Sequence, residues 1–431
     1  MAMQEKNYWL ETVRIPLGEA RPLPENVDVA VVGSGVTGLS AARVLAKRGL
    51  SVAVLEGETF GWGASSRNGG MVLTGLKLPV PQLMARYGRE PVRRMYAASL
   101  ASIDCVEQVV REEQIDCYFS RCGHLEVACK QAHFKGYAES AALIAREFHH
   151  NLHIVGKSEL RSEIGSDIYY GGLVDEMSAG LNPARYVSGL AMAAKRAGAA
   201  LFDHARVAGV RREDHPAGAK FGVQTAKGSL WAREVFLASG AYTGNSTPAL
   251  RKKIIPIGSY IIATEVLGEE LARELSPKNR MIYDSKHFLY YYRLTPDNRM
   301  LFGGRAAFFP ETESTVRQSA EILRRGMIRV YPQLRGSQVE FVWGGTLDFA
   351  FDVMPHTGRT DGMYYALGYA GHGVAMGTYL GSKIAGVILG EPNAIPFDSI
   401  PFPSPPIGLR SGHTWALPLA GAYYKFLDWV S

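Results

Sequence analysis

Cysteine is scarce in this chain, with four in 431 residues at Cys105, Cys117, Cys122 and Cys129, and none beyond. No two form a Cys-x-x-Cys pair, and His124 and His133 complete no zinc spacing, so reduced structural thiols are expected and a metal centre is not. Long apolar runs are missing too. Nothing approaches the roughly 18 apolar residues of a spanning helix, and Met1 to Glu11 carries charges without an apolar core, which excludes a secretory signal and leads us to expect a cytoplasmic protein. Charge of one sign is not concentrated. A net charge of +6, with Lys and Arg scattered, gives nucleic-acid binding little support, though it suits an acidic substrate or an anionic membrane surface. With 47% hydrophobic and 20% charged residues, the chain is globular and has room for two substructures.

What is present is concentrated between Asp28 and Gly70. Asp28-Val29-Ala30-Val31-Val32 reads as a buried strand running into Gly33-Ser34-Gly35-Val36-Thr37-Gly38, which opens a helix through Ala46. Gly33 permits the sharp turn, Gly35 lets the backbone approach a pyrophosphate, and Gly38 lets the helix lie close to the sheet. Free N–H groups and the positive end of the helix dipole then face the phosphates. A second strand, Ser51 to Leu55, ends on Glu56, about 20 residues on, where a carboxylate meets ribose hydroxyls and repels a 2′-phosphate. This leaves NAD or FAD. The glycine- and hydroxyl-rich run Gly61-Trp62-Gly63-Ala64-Ser65-Ser66-Arg67-Asn68-Gly69-Gly70-Met71 then decides for FAD. It supplies backbone donors and a cation to the far side of a long dinucleotide, where a nicotinamide domain would continue into another helix.

These residues resemble the FAD-dependent amine and amino-acid oxidases of the D-amino-acid oxidase, glycine oxidase and sarcosine oxidase superfamily. The 61–70 loop, Tyr8-Trp9, the stretch from Gly240-Ala241-Tyr242 to Glu265, and Trp343-Gly344-Gly345 look most like its gamma-glutamylputrescine oxidase branch. The resemblance covers nearly the whole chain. It implies an α/β fold in which a Rossmann-like FAD-binding domain of the glutathione-reductase type interleaves with an antiparallel-sheet substrate domain. The expected division is 1–27 as an N-terminal extension; 28–78, 150–250 and 340–392 as the FAD-binding domain; 79–149 and 251–339 as the substrate domain; and 393–431 as an aromatic tail. FAD is expected to be non-covalent, because no cysteine follows Cys129 and no histidine lies in the 57–70 loop.

The remaining site residues are assigned on the same basis. Val207 would pack its backbone against adenine, and Ser239-Gly240 would pass beside the ADP. Gly371-His372-Gly373-Val374-Ala375 would start a helix, running to about Leu389, whose dipole favours negative charge; the backbone of His372 matters there more than its imidazole. Strands are expected at Tyr118-Phe119, His124 to Ala128, Ser259 to Val266, Phe288 to Leu294 and Met300 to Gly304. Alternation points about half of the rings of Phe288, Tyr290, Tyr291 and Tyr292 inward, and Tyr292 is taken into the catalytic set. Arg293 and Arg305 are cations within strands, costly unless each meets an anion; Arg305 is the candidate for gripping a substrate carboxylate. Glycine- and D-amino-acid oxidases carry an Arg shortly after the tryptophan–glycine pair, where this chain has Leu347-Asp348. An acid there suits an amine.

The expected reaction is oxidation of a C–N bond of a small amine or amino-acid substrate, with hydride passing to flavin N5, hydrolysis of the imine, and reoxidation by oxygen, quinone or another carrier. The alternative is a D-amino-acid or sarcosine-type dehydrogenase delivering electrons to a membrane quinone. The apolar tail from Trp415 to Trp429 reads as a strap on the protein's own surface or a second subunit, or as a peripheral membrane contact. An NAD-dependent dehydrogenase and a non-enzymatic FAD-bound assembly protein are the rivals.

Overall fold

The computed structural model describes residues 3–213, 218, 220–307, 313–392, 395–398 and 400–405, with the backbone alone at 305–307 and 313–314. The tail from 406 onward, including Trp415 to Trp429, lies outside the described residues.

Two eight-stranded sheets carry the fold. In the first, the order is His356–Thr360, Met363–Leu367, Gly228–Leu237, Asn26–Val32, Val52–Leu55 and Ala200–Phe202, with the hairpin of Val207–Arg212 and Phe221–Thr225 attached to Gly228–Leu237. Asn26–Val32 pairs in parallel with Gly228–Leu237 and Val52–Leu55. All four residues of Val52–Leu55 are buried, as a parallel strand covered on both faces requires. Helices Val36–Lys47, Pro183–Arg196 and Gly373–Ile388 contribute to a core with Val29, Val31, Leu39, Leu190 and Leu380.

The second sheet runs Val339–Ala350, Ile254–Thr264, Met300–Ala307, Tyr291–Leu294, Met281–Asp284, His124–Val127, Gly171–Asp175 and His153–Gly156. Its neighbours pair antiparallel except Met281–Asp284 with His124–Val127, which run parallel. Its core gathers Tyr260, Ile262, Tyr292, Phe302, Leu323 and Val342.

Several expectations are refined. Tyr118-Phe119 is not a strand: Tyr118 has φ 53° and the segment is irregular, joined to Gly180 by a single bridge at Ser120. Beyond the expected strands, the fold has a long strand Gly228–Leu237, a strand Met281–Asp284 and a helix Glu313–Val330. The strands His153–Gly156, Gly171–Asp175 and Val339–Ala350 belong to the second sheet. Helix Arg89–Glu112 buries Val92, Met95, Ile103 and Val106 in the core of the first. We propose to keep the two-domain division with these segments exchanged.

Candidate active site

A cavity of about 1450 Å³ lies between the two sheets, and the turn after Asn26–Val32 forms one end of it. Gly33 has φ +102°, a left-handed backbone that L side chains rarely adopt. A Cβ at Gly38 would stand 2.0 Å from the Gly33 carbonyl oxygen, so the helix can approach the turn only with glycine there. Neither Gly35, capping Val36–Lys47, nor His372, capping Gly373–Ile388, bonds the helix N-terminus with a side chain. Both line the cavity. The start of Val36–Lys47 is locked against Gly373–Ile388: a Cβ at Gly381 would lie 2.2 Å from the Thr37 carbonyl oxygen, and Thr37 Oγ1 bonds Tyr369 Oη at 2.9 Å. Two helix N-termini thus open on one cavity, which fits the phosphates and the negative edge of a dinucleotide.

Glu56 ends its strand with a fixed carboxylate. Oε2 accepts from Ser34 N at 3.0 Å and Ser34 Oγ at 2.6 Å, and Oε1 accepts from Glu58 N at 3.0 Å. Val207, Ser239 and Gly240 line the same end, and Ser239 Oγ bonds Thr243 Oγ1 at 2.8 Å.

The 61–71 segment contains a short helix, Ala64–Arg67, held from several sides. Ser65 Oγ accepts from Val36 N at 3.1 Å, and Ser66 Oγ donates to the Gly61 carbonyl. Asn68 Nδ2 donates to Ser65 O at 2.9 Å while its Oδ1 accepts from Gly70 N at 2.8 Å. Arg67 lines the cavity, but it donates to Trp62 O at 2.6 Å and Gly344 O at 3.0 Å, so it also splints this segment to the second sheet. Trp9 and Trp343 complete the brace, donating to Asn68 O at 3.0 Å and Arg67 O at 2.9 Å. Gly69 and Met71 face the cavity. Gly38, Ser66, Gly70 and Ala375 do not line it; they support from behind.

Asp348 lies on the cavity wall with only 8% exposure, not in a solvated turn. Its carboxylate accepts from Gly368 N at 2.7 Å and its carbonyl from Ala370 N at 2.9 Å. It therefore holds the turn in which Gly368, Ala370 and Gly371 all have positive φ, just before the helix start. Burial pushes its carboxyl up to about 6, against the pull of the backbone N–H groups. His372 lines the cavity and burial lowers it to about 4, so its imidazole is neutral at pH 7.

Tyr292 is corrected. It is fully buried in the second core, stacked on Phe302 at 5.2 Å, with its hydroxyl donating to Tyr169 at 2.8 Å, and it does not line the cavity. Its neighbour Tyr291 does, bonding Ser259 Oγ at 3.2 Å, because successive strand residues face opposite ways. Arg293 meets no anion among the described residues. It donates to the carbonyls of Gly70 at 3.1 Å, Leu181 at 3.0 Å and Leu294 at 3.1 Å, and burial lowers it to about 10. Arg305 stands on Met300–Ala307, and its side chain lies outside the described residues.

Sequence reasoning missed a polar group on the cavity wall: Lys77, His124, Glu126, Tyr137 and Tyr283. Glu126 and Tyr283 are register partners across the parallel strand pair, an adjacency that no sequence pattern announces.

Comparison with known proteins places this geometry. The family model DAO, FAD dependent oxidoreductase, matches residues 28–386. The chain is 33% identical over 411 residues to a probable oxidoreductase, OrdL, of Haemophilus influenzae, covering 94% of this chain and 92% of that protein. It is also 33% identical over 412 residues to gamma-glutamylputrescine oxidoreductase of Escherichia coli, covering 93% and 92%. Among solved structures, glycine oxidase from Geobacillus kaustophilus superposes with a TM-score of 0.71 at 20% identity, covering 89% of this chain and 99% of that one. No helix among the described residues is long and apolar enough to cross a membrane. With a nucleotide turn, a braced second loop and a helix start converging on one cavity, the chain belongs to the DAO family of FAD-dependent oxidoreductases and binds FAD.

Proposed function

We propose that the chain oxidises the C–N bond of an amine whose carboxylate lies away from the oxidised carbon, a substrate of the gamma-glutamylputrescine kind. The observation that carries this reading is Leu347-Asp348 on the cavity wall, in the stretch where the resemblance to simple amino-acid oxidases implies an arginine for the α-carboxylate. The likeness to the Escherichia coli gamma-glutamylputrescine oxidoreductase supports it.

FAD, when bound, supplies the hydride acceptor. Gly33, Gly35, Glu56, Ser65 and the Gly371–Val374 turn would hold it. The protein must also orient the amine, remove its extra proton and keep water away. Asp348, raised to about 6, attracts an ammonium group and is a better proton acceptor than an ordinary carboxylate. Tyr291, across the cavity wall, limits how the carbon chain can lie.

The test is anaerobic absorbance of the holoprotein titrated with putrescine, gamma-glutamylputrescine, sarcosine and D- and L-amino acids, followed by air. Bleaching by the amines is expected. Bleaching by simple α-amino acids alone overturns the reading. Recovery in air, rapid or slow, separates oxidase from dehydrogenase.

A further inference from the structure

Lys77 and Glu126 form an unusual pair of charges. Both line the cavity, and their opposite charges attract, yet no direct ion pair joins them. Among the described residues Lys77 has no hydrogen bond or ion pair, although its side chain is exposed to the cavity. Lys286, the other lysine on the wall, is paired with Asp284.

Glu126 is built into place. Tyr137, from the helix Gln131–Phe148, donates to its Oε1 at 3.3 Å. Tyr283, its register partner, stands beside it and shares a 3.2 Å hydrogen bond with His124 Nε2. His124 Nδ1 is in turn bonded to Ser178 Oγ at 2.8 Å. Burial raises the Glu126 carboxyl, whereas the Lys77 ammonium stays exposed on the same cavity wall. Lys77, His124 and Glu126 line the same cavity as Asp348 and His372, which begins the helix after the Asp348-held turn.

A ligand that answers both charges carries both signs. A single carboxylate would satisfy Lys77 and repel Glu126, and a single ammonium would do the reverse. We propose that Lys77 and Glu126 form a receptor for an α-amino-acid zwitterion, with Lys77 on its carboxylate and Glu126 on its ammonium. This rests on the amine-oxidation reading and deepens it. The substrate carries a free amino-acid head at the Lys77–Glu126 end and, through an amide-linked chain, the oxidised amine at the Asp348 end. The head selects, and no bond to it forms or breaks.

The experiment compares three amines on the holoenzyme: gamma-glutamylputrescine, N-glutarylputrescine, which lacks the head ammonium, and N-(4-aminobutanoyl)putrescine, which lacks the head carboxylate. Steady-state turnover with an electron acceptor gives kcat and KM, and calorimetry with gamma-glutamylmethylamide, which has the head but no distal amine, gives binding alone. Wild type should favour gamma-glutamylputrescine over either truncated amine by on the order of 100-fold in kcat/KM, mostly through KM. Lys77→Met should erase the advantage over the carboxylate-less amine, and Glu126→Gln that over the ammonium-less one. Lys77→Arg should restore most of the first. Both neutral variants should lose gamma-glutamylmethylamide binding while retaining FAD. Equal KM for the three amines in wild type, or variants that weaken all three equally, overturns the receptor. If no amine bleaches the flavin but gamma-glutamylmethylamide binds and is lost in Lys77→Met, the oxidation reading falls and the receptor stands.

Discussion

The Asp348 carboxylate accepts the Gly368 N–H at 2.7 Å, and through this bond the last strand of the second sheet holds the turn that starts the Gly373–Ile388 helix. One acid thereby serves structure and faces the substrate cavity.

Its raised pKa makes a pH prediction. Between the ordinary carboxylate range and about 6 the unfolded chain has released this proton and the folded chain retains it, so folding stability falls as pH rises through that window. Above about 6 the cost levels off, on the order of 3 kcal/mol. Asp348→Asn keeps an acceptor for Gly368 and removes the titration. Thermal melts should show the variant gaining on wild type from pH 4 to pH 7, and KM for the amine should rise. A constant difference in Tm across pH would refute the assignment.

Gly35 and Gly38 should fail differently. A Cβ at Gly35 meets only the Ser65 hydroxyl at 2.7 Å, whereas one at Gly38 meets backbone at 2.0 Å. Gly35→Ala should fold, with a circular dichroism melt near that of wild-type apoprotein, yet retain little FAD. Gly38→Ala should lose stability outright, by more than about 2 kcal/mol.

Tyr291 and Tyr292 separate function from packing. Tyr292→Phe removes the bond to Tyr169 and should cost about 1 kcal/mol in denaturant unfolding, with kcat and KM unmoved. Tyr291→Phe should leave stability within about 0.5 kcal/mol and alter KM. The reverse pattern would mean that the cavity face has been misassigned.

Arg293→Met removes the guanidinium donor from the carbonyls of Gly70, Leu181 and Leu294, leaving the Gly70 carbonyl with the Leu181 N–H alone. A loss of about 3 kcal/mol is expected, with faster FAD release because the Gly70 end of the braced loop is freed. Unchanged stability would show that water replaces the guanidinium.

What the sequence determined by itself was local. The nucleotide turn, Glu56 and the Gly371 helix start could be read because each function lies in the backbone or side chains of one short stretch, with its glycines at fixed spacing. The resemblance extended this to the fold and FAD. Tertiary structure decided the rest, because it depends on which distant segments meet. Alternation alone could not say whether Tyr291 or Tyr292 faced the cavity, since a one-residue shift exchanges the faces. Arg293, expected to seek an anion, found carbonyls brought by the loop ending at Gly70 and by Leu181. Glu126 and Tyr283, each ordinary in sequence, share a cavity wall because Met281–Asp284 and His124–Val127 pair within the second sheet, and Lys77 reaches that wall from the segment before helix Val80–Tyr87.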